Sequence, residues 1–195
     1  MASAAPAEPV QEVRISGYSA FRDWTASQPG RWFLLRGMPM PMPSPSPTRI
    51  HQEISKRLEL LLIASIERPG RGWVYDAPLD VALFPDTVYQ PDLLVVFSEH
   101  ADRLRDTHID GAPDIVIEAL SPSTAKLDLV DKRYDYARAG VLEYWIVDPE
   151  TRTVELYVPE GDVFRLRRAA RQEGSVASEQ IPELQVSLGE LFSDL

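Results

Sequence analysis

Residues 113–140 read PDIVIEALSPSTAKLDLVDKRYDYARAG, and a change of rhythm inside them decides the fold. The first eight are strand-like. Asp114, Val116, Glu118 and Leu120 share one face of an extended run, and Ile115, Ile117 and Ala119 share the other. Pro122-Ser123-Thr124 forms a turn, with Thr124 a candidate cap for the helix that follows. That helix reaches Ala139, and Gly140 is placed to end it in the left-handed conformation. At ~100° per residue, Leu127, Val130, Tyr134 and Ala137 make an apolar face, and Asp128 and Lys132 point away from it. Glu118 is then a charge set between apolar neighbours, a placement rarely left buried without a partner or a metal.

Working outward, Ile50, Ile54, Leu58, Leu61 and Leu62 recur at helical spacing between Thr48, a candidate N-cap, and about Arg68, where Pro69-Gly70 stops the run. Strand-like runs follow at Gly72 to Tyr75, Leu79 to Phe84 and Asp92 to Phe97. Beyond Gly140 come Glu143 to Val147 and a hairpin, Thr151 to Tyr157 and Val163 to Arg168, turning at Pro159-Glu160-Gly161-Asp162. Leu184 to Leu195 reads as a capping strand and short helix. The order of helix, strands, helix, strands predicts an α/β domain with a mixed central β-sheet flanked by helices, not a repeating βαβ array.

Residues 1–13, rich in Ala, Pro and Glu, read as a disordered tail, and 14–195 as a single domain. Between Met38 and Pro47 proline occupies every other position, which forbids helix and removes ladder donors, so 38–47 is expected to be an extended arm or strap. The chain has 195 residues, 44% hydrophobic and 26% charged, enough for one sizeable core. It has no cysteine, which excludes disulfides, thiolate zinc sites and cysteine nucleophiles. No apolar run approaches ~18 residues and the start lacks a signal-like pattern, so a cytoplasmic location is expected. A net charge of −10 argues against loose coating of nucleic acid while leaving room for a locally basic lining.

The chemistry-bearing residues are carboxylates. Asp92 follows Pro91 at the head of the apolar run PDLLVVF, and Glu118 lies near the end of PDIVIEAL. Two neighbouring strands would bring them to one end of the sheet. Hard divalent cations such as magnesium are held by one or two carboxylates, with water and phosphate completing the shell. Taken singly, each acid reads as well as an ordinary strand-end residue, solvated or paired with arginine.

The stretch from Glu118 to Tyr157 resembles the Uma-two family of proteins assigned as restriction endonucleases, a bacterial branch of the PD-(D/E)XK superfamily. The resemblance is carried by Pro91-Asp92, Glu118 with Ser121-Pro122-Ser123-Thr124, Asp128 with Lys132, Tyr136, Ala137, Gly140-Val141, Glu143-Tyr144-Trp145 and Asp148-Pro149. Gly37 and His51-Gln52-Glu53-Ile54 also fit, so it extends over about residues 18 to 195. It implies a restriction-endonuclease-like core and Mg²⁺ dependence, with Mn²⁺ as a substitute. It further implies metal-binding roles for Asp92 and Glu118, aided by the Ala119 carbonyl, and hydrolysis of DNA. In the superfamily a lysine usually lies two residues after the second acid. Leu120 stands there in this chain, and the resemblance moves the catalytic lysine to Lys132. By analogy a homodimer is expected, since such nucleases often pair to cut both strands.

Two readings of Lys132 stand: it reaches across a cleft towards the scissile phosphate, or it is a solvated partner of Asp128. Others carry a functional and a structural reading in the same way. His51 stands beside the site or caps a helix; Glu53 is a third acid or pairs with Arg57. Arg165, Arg167, Arg168 and Arg171 meet phosphates or line a solvated strand. Tyr144-Trp145 stack on a base or fill the core. Ser121 and Thr124 lack a base partner and read as turn residues. Phe33 and Met38 replace glutamates common in relatives. Together with the net acidity and the missing strand lysine, they support an alternative: an inactive, nuclease-fold binding module. A third reading makes the proline-rich arm a docking segment for a partner protein.

Overall fold

A computed structural model describes residues 13–42 and 48–195. Residues 1–12 of the expected tail and 43–47 of the proline-rich arm fall outside those residues. Helix α1 (Tyr18–Thr25) precedes a hairpin of β1 (Trp32–Leu35) and β2 (Met38–Pro41). Helix α2 (Arg49–Leu62) runs on as a π-helical turn (Ile63–Glu67) into β3 (Gly72–Asp76), β4 (Asp80–Phe84), β5 (Thr87–Tyr89) and β6 (Leu93–Phe97). After a 3₁₀ turn come β7 (His108–Asp110) and β8 (Ile115–Ala119). A π-helical segment (Leu127–Lys132) leads into α3 (Arg133–Ala139), then β9 (Glu143–Asp148), β10 (Thr153–Glu160) and β11 (Val163–Arg171). The pair β12 (Ser175–Ala177) and β13 (Gln185–Ser187) and helix α4 (Leu188–Leu191) close the chain.

A six-stranded sheet in the order β11-β10-β9-β8-β6-β3 divides the molecule. It is mixed, as expected: β8 runs parallel to β9 and antiparallel to β6. Alternation along the strands sends Leu93, Val95, Ile115, Ile117, Trp145 and Val147 to one side, where Ile54, Leu58, Leu62 and Ile66 meet them together with the C-terminal segment. Leu94, Val96, Val116, Tyr144 and Ile146 face the other side, where α3 and a second, five-stranded sheet (β2-β1-β5-β4-β7) complete a separate core. Phe21 of α1 packs on the far face of that second sheet against Leu34 and Val88.

Local signals account for the element ends. The Thr48 side chain accepts from the His51 N–H at 3.2 Å, as its N-cap position predicts. Gly140 ends α3 at φ 91°. Gly72 is required because a Cβ there would strike the Val96 carbonyl of the adjacent strand.

The proline-rich stretch begins differently from its expectation. Met38–Pro41 pair with β1 as an edge strand, joined to it by an Arg36-Gly37 turn in which both φ values are positive. Met38 opposes Leu35 and Met40 opposes Phe33, while Pro39 and Pro41 oppose Leu34 and Trp32. In a two-residue hairpin the first of these pairs is hydrogen bonded and the pairs alternate thereafter. Proline therefore falls at the positions whose nitrogen faces outward. An edge strand needs only every second donor, so the alternation suits it.

Candidate functional site at the end of the central strands

The antiparallel register that pairs Leu93 with Ile117 sets Asp92 opposite Glu118 one step further on. Each carboxylate takes a backbone N–H from beside the other. Asp92 N–H donates to Glu118 Oε2 at 3.4 Å, and Ala119 N–H donates to Asp92 Oδ2 at 2.9 Å. The carboxylates thus converge at one end of the sheet, on the α3 side. Among the described residues neither meets an arginine.

Lys132 completes the group and corrects the wheel drawn from sequence. Its Nζ lies 2.8 Å from Glu118 Oε1 and 2.8 Å from Asp128 Oδ1. The contact with Asp128 is an ion pair outside hydrogen-bond angles. Lys132, Asp128 and Glu118 are 5%, 2% and 2% exposed. The helix therefore buries the side expected to face water, and Val130 and Tyr134, assigned to its apolar face, are exposed. The i→i+5 turns of the π segment shift the phase that 100° per residue assumes. The inward side also has to supply a cation to a buried carboxylate, which outweighs the burial of two apolar side chains. The pairing with Asp128 holds but the expected solvation does not: Lys132 is buried and also meets the acid on the strand.

Residues 18–189 of this geometry match the signature of the family described as "Uma2: Putative restriction endonuclease". The chain belongs to the Uma2 family. Its fold matches the crystal structure titled as a putative nuclease belonging to DUF820 from Anabaena variabilis ATCC 29413. The TM-score is 0.68 at 21% identity, covering 88% of this chain and 96% of the other. No protein of curated function matches.

Burial pushes the Glu118 carboxyl well above its ordinary value; Lys132 opposes this, and Asp128 and Asp92 add to it. Burial pulls the Lys132 ammonium down, but Glu118 and Asp128 outweigh it and hold it above its ordinary value. Glu118 and Asp128 share one lysine while Asp92 meets His51, and the negative charge of the three carboxylates suits an added cation. The donor set agrees with a hard ion: all oxygens, with Asp92 Oδ1 free of hydrogen bonds among the described residues and Asp128 Oδ1 lacking one. No set of three or more His, Asp or Glu side chains is spaced for a metal among those residues. The fit therefore rests on two carboxylates and backbone, sufficient for magnesium.

His51 carries more than sequence suggested. Its Nε2 lies 3.0 Å from Asp92 Oδ2, and the two side chains, 14% and 24% exposed, form the solvent-facing edge of this Uma2 site. The hydrogen bond to Asp92 raises its pKa above 6.5, against burial that lowers it. A raised histidine pKa contributes stability that is full below 6.5 and is lost as pH rises through the folded value. Urea unfolding should show His51→Ala costing more near pH 6 than near pH 9; equal losses would disprove the pairing.

Tyr136, part of the family pattern, stands against Glu118. Its hydroxyl lies 3.4 Å from Glu118 Oε1, and the Tyr144 hydroxyl donates to the Asp128 carbonyl at 2.9 Å. Position 136 is one turn beyond Lys132, so the same helical face signals it. Trp145 and Tyr144 are fully buried, favouring their core reading. Glu53 is held by Lys56 and Arg57 along its own helix, at 2.6 and 3.2 Å. Arg165 pairs with Glu160, and Arg167 and Arg168 pair with Glu179, on an exposed edge strand. Ser121 and Thr124 bond one another at 2.9 Å in the turn. Phe33 packs with Tyr89 and Met38 is exposed on the hairpin.

Proposed function

We propose that the protein is a metal-dependent endonuclease hydrolysing DNA phosphodiester bonds, of the PD-(D/E)XK type. Asp92 and Glu118 would hold Mg²⁺ or Mn²⁺, with the Ala119 carbonyl beside them. A bound ion would polarise the phosphate and lower the pKa of an attacking water. Asp92, at the exposed edge, faces substrate. Lys132 fixes the Glu118 carboxylate and supplies positive charge where the phosphate gains negative charge. Tyr136 and Tyr144 keep Glu118 and the π segment in place.

The observation that carries the reading is the opposition of Asp92 and Glu118 across β6 and β8, with the Lys132 ammonium on Glu118 at 2.8 Å. Membership of the Uma2 family supports it, and pairing of two copies would serve cleavage of both strands. Supercoiled, linear and single-stranded DNA incubated with Mg²⁺ or Mn²⁺ should be cut by the wild type and left intact by Asp92→Ala/Glu118→Ala. Cleavage surviving in the double variant refutes the assignment.

One observation favours an inactive binding module instead: Glu118 and Lys132 are closed off in a buried ion pair. Calorimetric titration separates the two. Mg²⁺ or Mn²⁺ binding lost in Glu118→Gln counts against a purely structural scaffold.

A further inference from the structure

Helix α3 and the π turn before it have a second working face. Beyond the side that carries Lys132 and Tyr136 lies a cavity of about 500 Å³, between the helix, the β1–β2 hairpin and the β4–β5 turn. Arg36 and Arg138 line it, with Phe84 and the hydroxyl-bearing Ser16 and Thr87. The Arg138 guanidinium stands 5.5 Å from the Phe84 ring centre and 5.3 Å from that of Tyr134. The Arg36 guanidinium stands 5.9 Å from the same Tyr134 ring. Two guanidinium groups are thus held against aromatic rings at the wall of one cavity.

The donors of Arg138 are unspent, and those of Arg36 are partly engaged. Among the described residues Arg138 has no carboxylate and no hydrogen-bond acceptor, only the two rings. Arg36 touches Asp131 at 3.3 Å and Asp135 at 3.7 Å, and neither contact meets hydrogen-bond geometry. Asp135 spends an oxygen on the Tyr89 hydroxyl at 2.7 Å, and Asp86, also on the cavity wall, accepts from the Thr87 hydroxyl at 3.1 Å. These acids orient Arg36 without saturating it, and they temper the pull on a bare anion.

We propose that this cavity binds a phosphate ester, a backbone phosphate of a nucleic-acid strand, through Arg36 and Arg138. Paired guanidinium forks match phosphate oxygens better than point charges do. The proposal rests on the nuclease reading for the source of the phosphate. Lys132 and Arg138 lie on one continuous helix, about 9 Å apart along its axis.

The test uses the full chain in EDTA, so that affinity is read without cutting. Anisotropy of a short fluorescein-labelled single strand should give binding that Arg138→Ala weakens about ten-fold, with the salt dependence of log Kd reduced by about one unit. Arg138→Lys, which keeps the charge, should keep the salt slope. A dinucleoside monophosphate that competes identifies an internal backbone phosphate. Competition by a nucleoside monophosphate alone identifies a terminal one. Absence of wild-type binding, an unchanged affinity and slope in Arg138→Ala, or equal competition by an unphosphorylated nucleoside overturns the subsite. Cutting in Mg²⁺ is scored separately, so the nuclease reading fails on persistent cleavage in Asp92→Ala/Glu118→Ala and not on affinity.

Discussion

Lys132→Met is expected to cost about 3–5 kcal/mol of folding stability as well as any cleavage activity. The ammonium is the one cation among the described residues within ion-pair distance of either Glu118 or Asp128. Methionine fills a similar volume, so packing changes little and the loss reports two stranded carboxylates. Glu118 responds by holding its proton. Burial already raises the Glu118 carboxyl above 4.5, and removal of the lysine raises it further. A carboxyl whose folded pKa exceeds its unfolded one destabilises the fold increasingly as pH rises from the unfolded value through the folded one. Urea unfolding should therefore show Lys132→Met nearest to wild type near pH 5 and furthest above pH 7. Adding Glu118→Gln to Lys132→Met should recover part of the loss, a coupling expected of residues in contact. A Lys132→Met protein as stable as wild type at neutral pH would show that the lysine is not a buried counter-ion.

Glu143→Ala is expected to lose about 4 kcal/mol for a different reason. Glu143 is fully buried and meets no positive charge among the described residues, where hydrogen bonds alone hold its carboxylate. Trp145 Nε1 donates to Oε2 at 2.9 Å, while Oε1 takes the Ser178 hydroxyl at 3.0 Å and the Glu179 and Gln180 N–H groups at 2.6 and 3.0 Å. This one side chain at the head of β9 ties down the turn that starts the C-terminal segment. Alanine leaves those donors facing a void, and the packing of Ile181, Leu184 and Phe192 on the main sheet loosens with them. Guanidinium unfolding measures the cost, and faster proteolysis near residues 178–181 locates it. A Glu143→Ala protein within about 1 kcal/mol of wild type, with unaltered proteolysis, would mean the turn is held by its apolar contacts instead.

The central sheet was legible because its strands obey a period of two. Val116 and Glu118 face one way, Ile115 and Ile117 the other, and that alternation brought the two acids to one end of neighbouring strands. The second sheet was largely hidden. Its strands β1, β2, β5 and β7 span three or four residues each, too short for a period to show, and β2 carries prolines. Helix α1, with Phe21 as its only buried residue, gave no apolar stripe to read.

At the site, the two carboxylates followed from strand geometry, and the choice of Lys132 from family resemblance. The orientation of Lys132 did not follow from either, because a wheel at constant pitch cannot register a π segment, and because Val130 and Tyr134 offered a false apolar face. The role of His51 is hidden in the sequence for a related reason. Its contact with Asp92 depends on where α2 ends against the sheet, which no local pattern encodes.

The hairpin of β1 and β2 limits how copies of this chain can associate. With no N–H at positions 39 and 41, its outer border offers a newcomer carbonyl oxygens and no donors at those two points. A foreign extended segment could not zip onto it in register, whether from a second copy or from an aggregating neighbour. Replacing both prolines with valine or threonine would remove that guard and expose a continuous template. Any dimer this chain forms must therefore use another edge or face, and the second sheet stays five strands wide on that side.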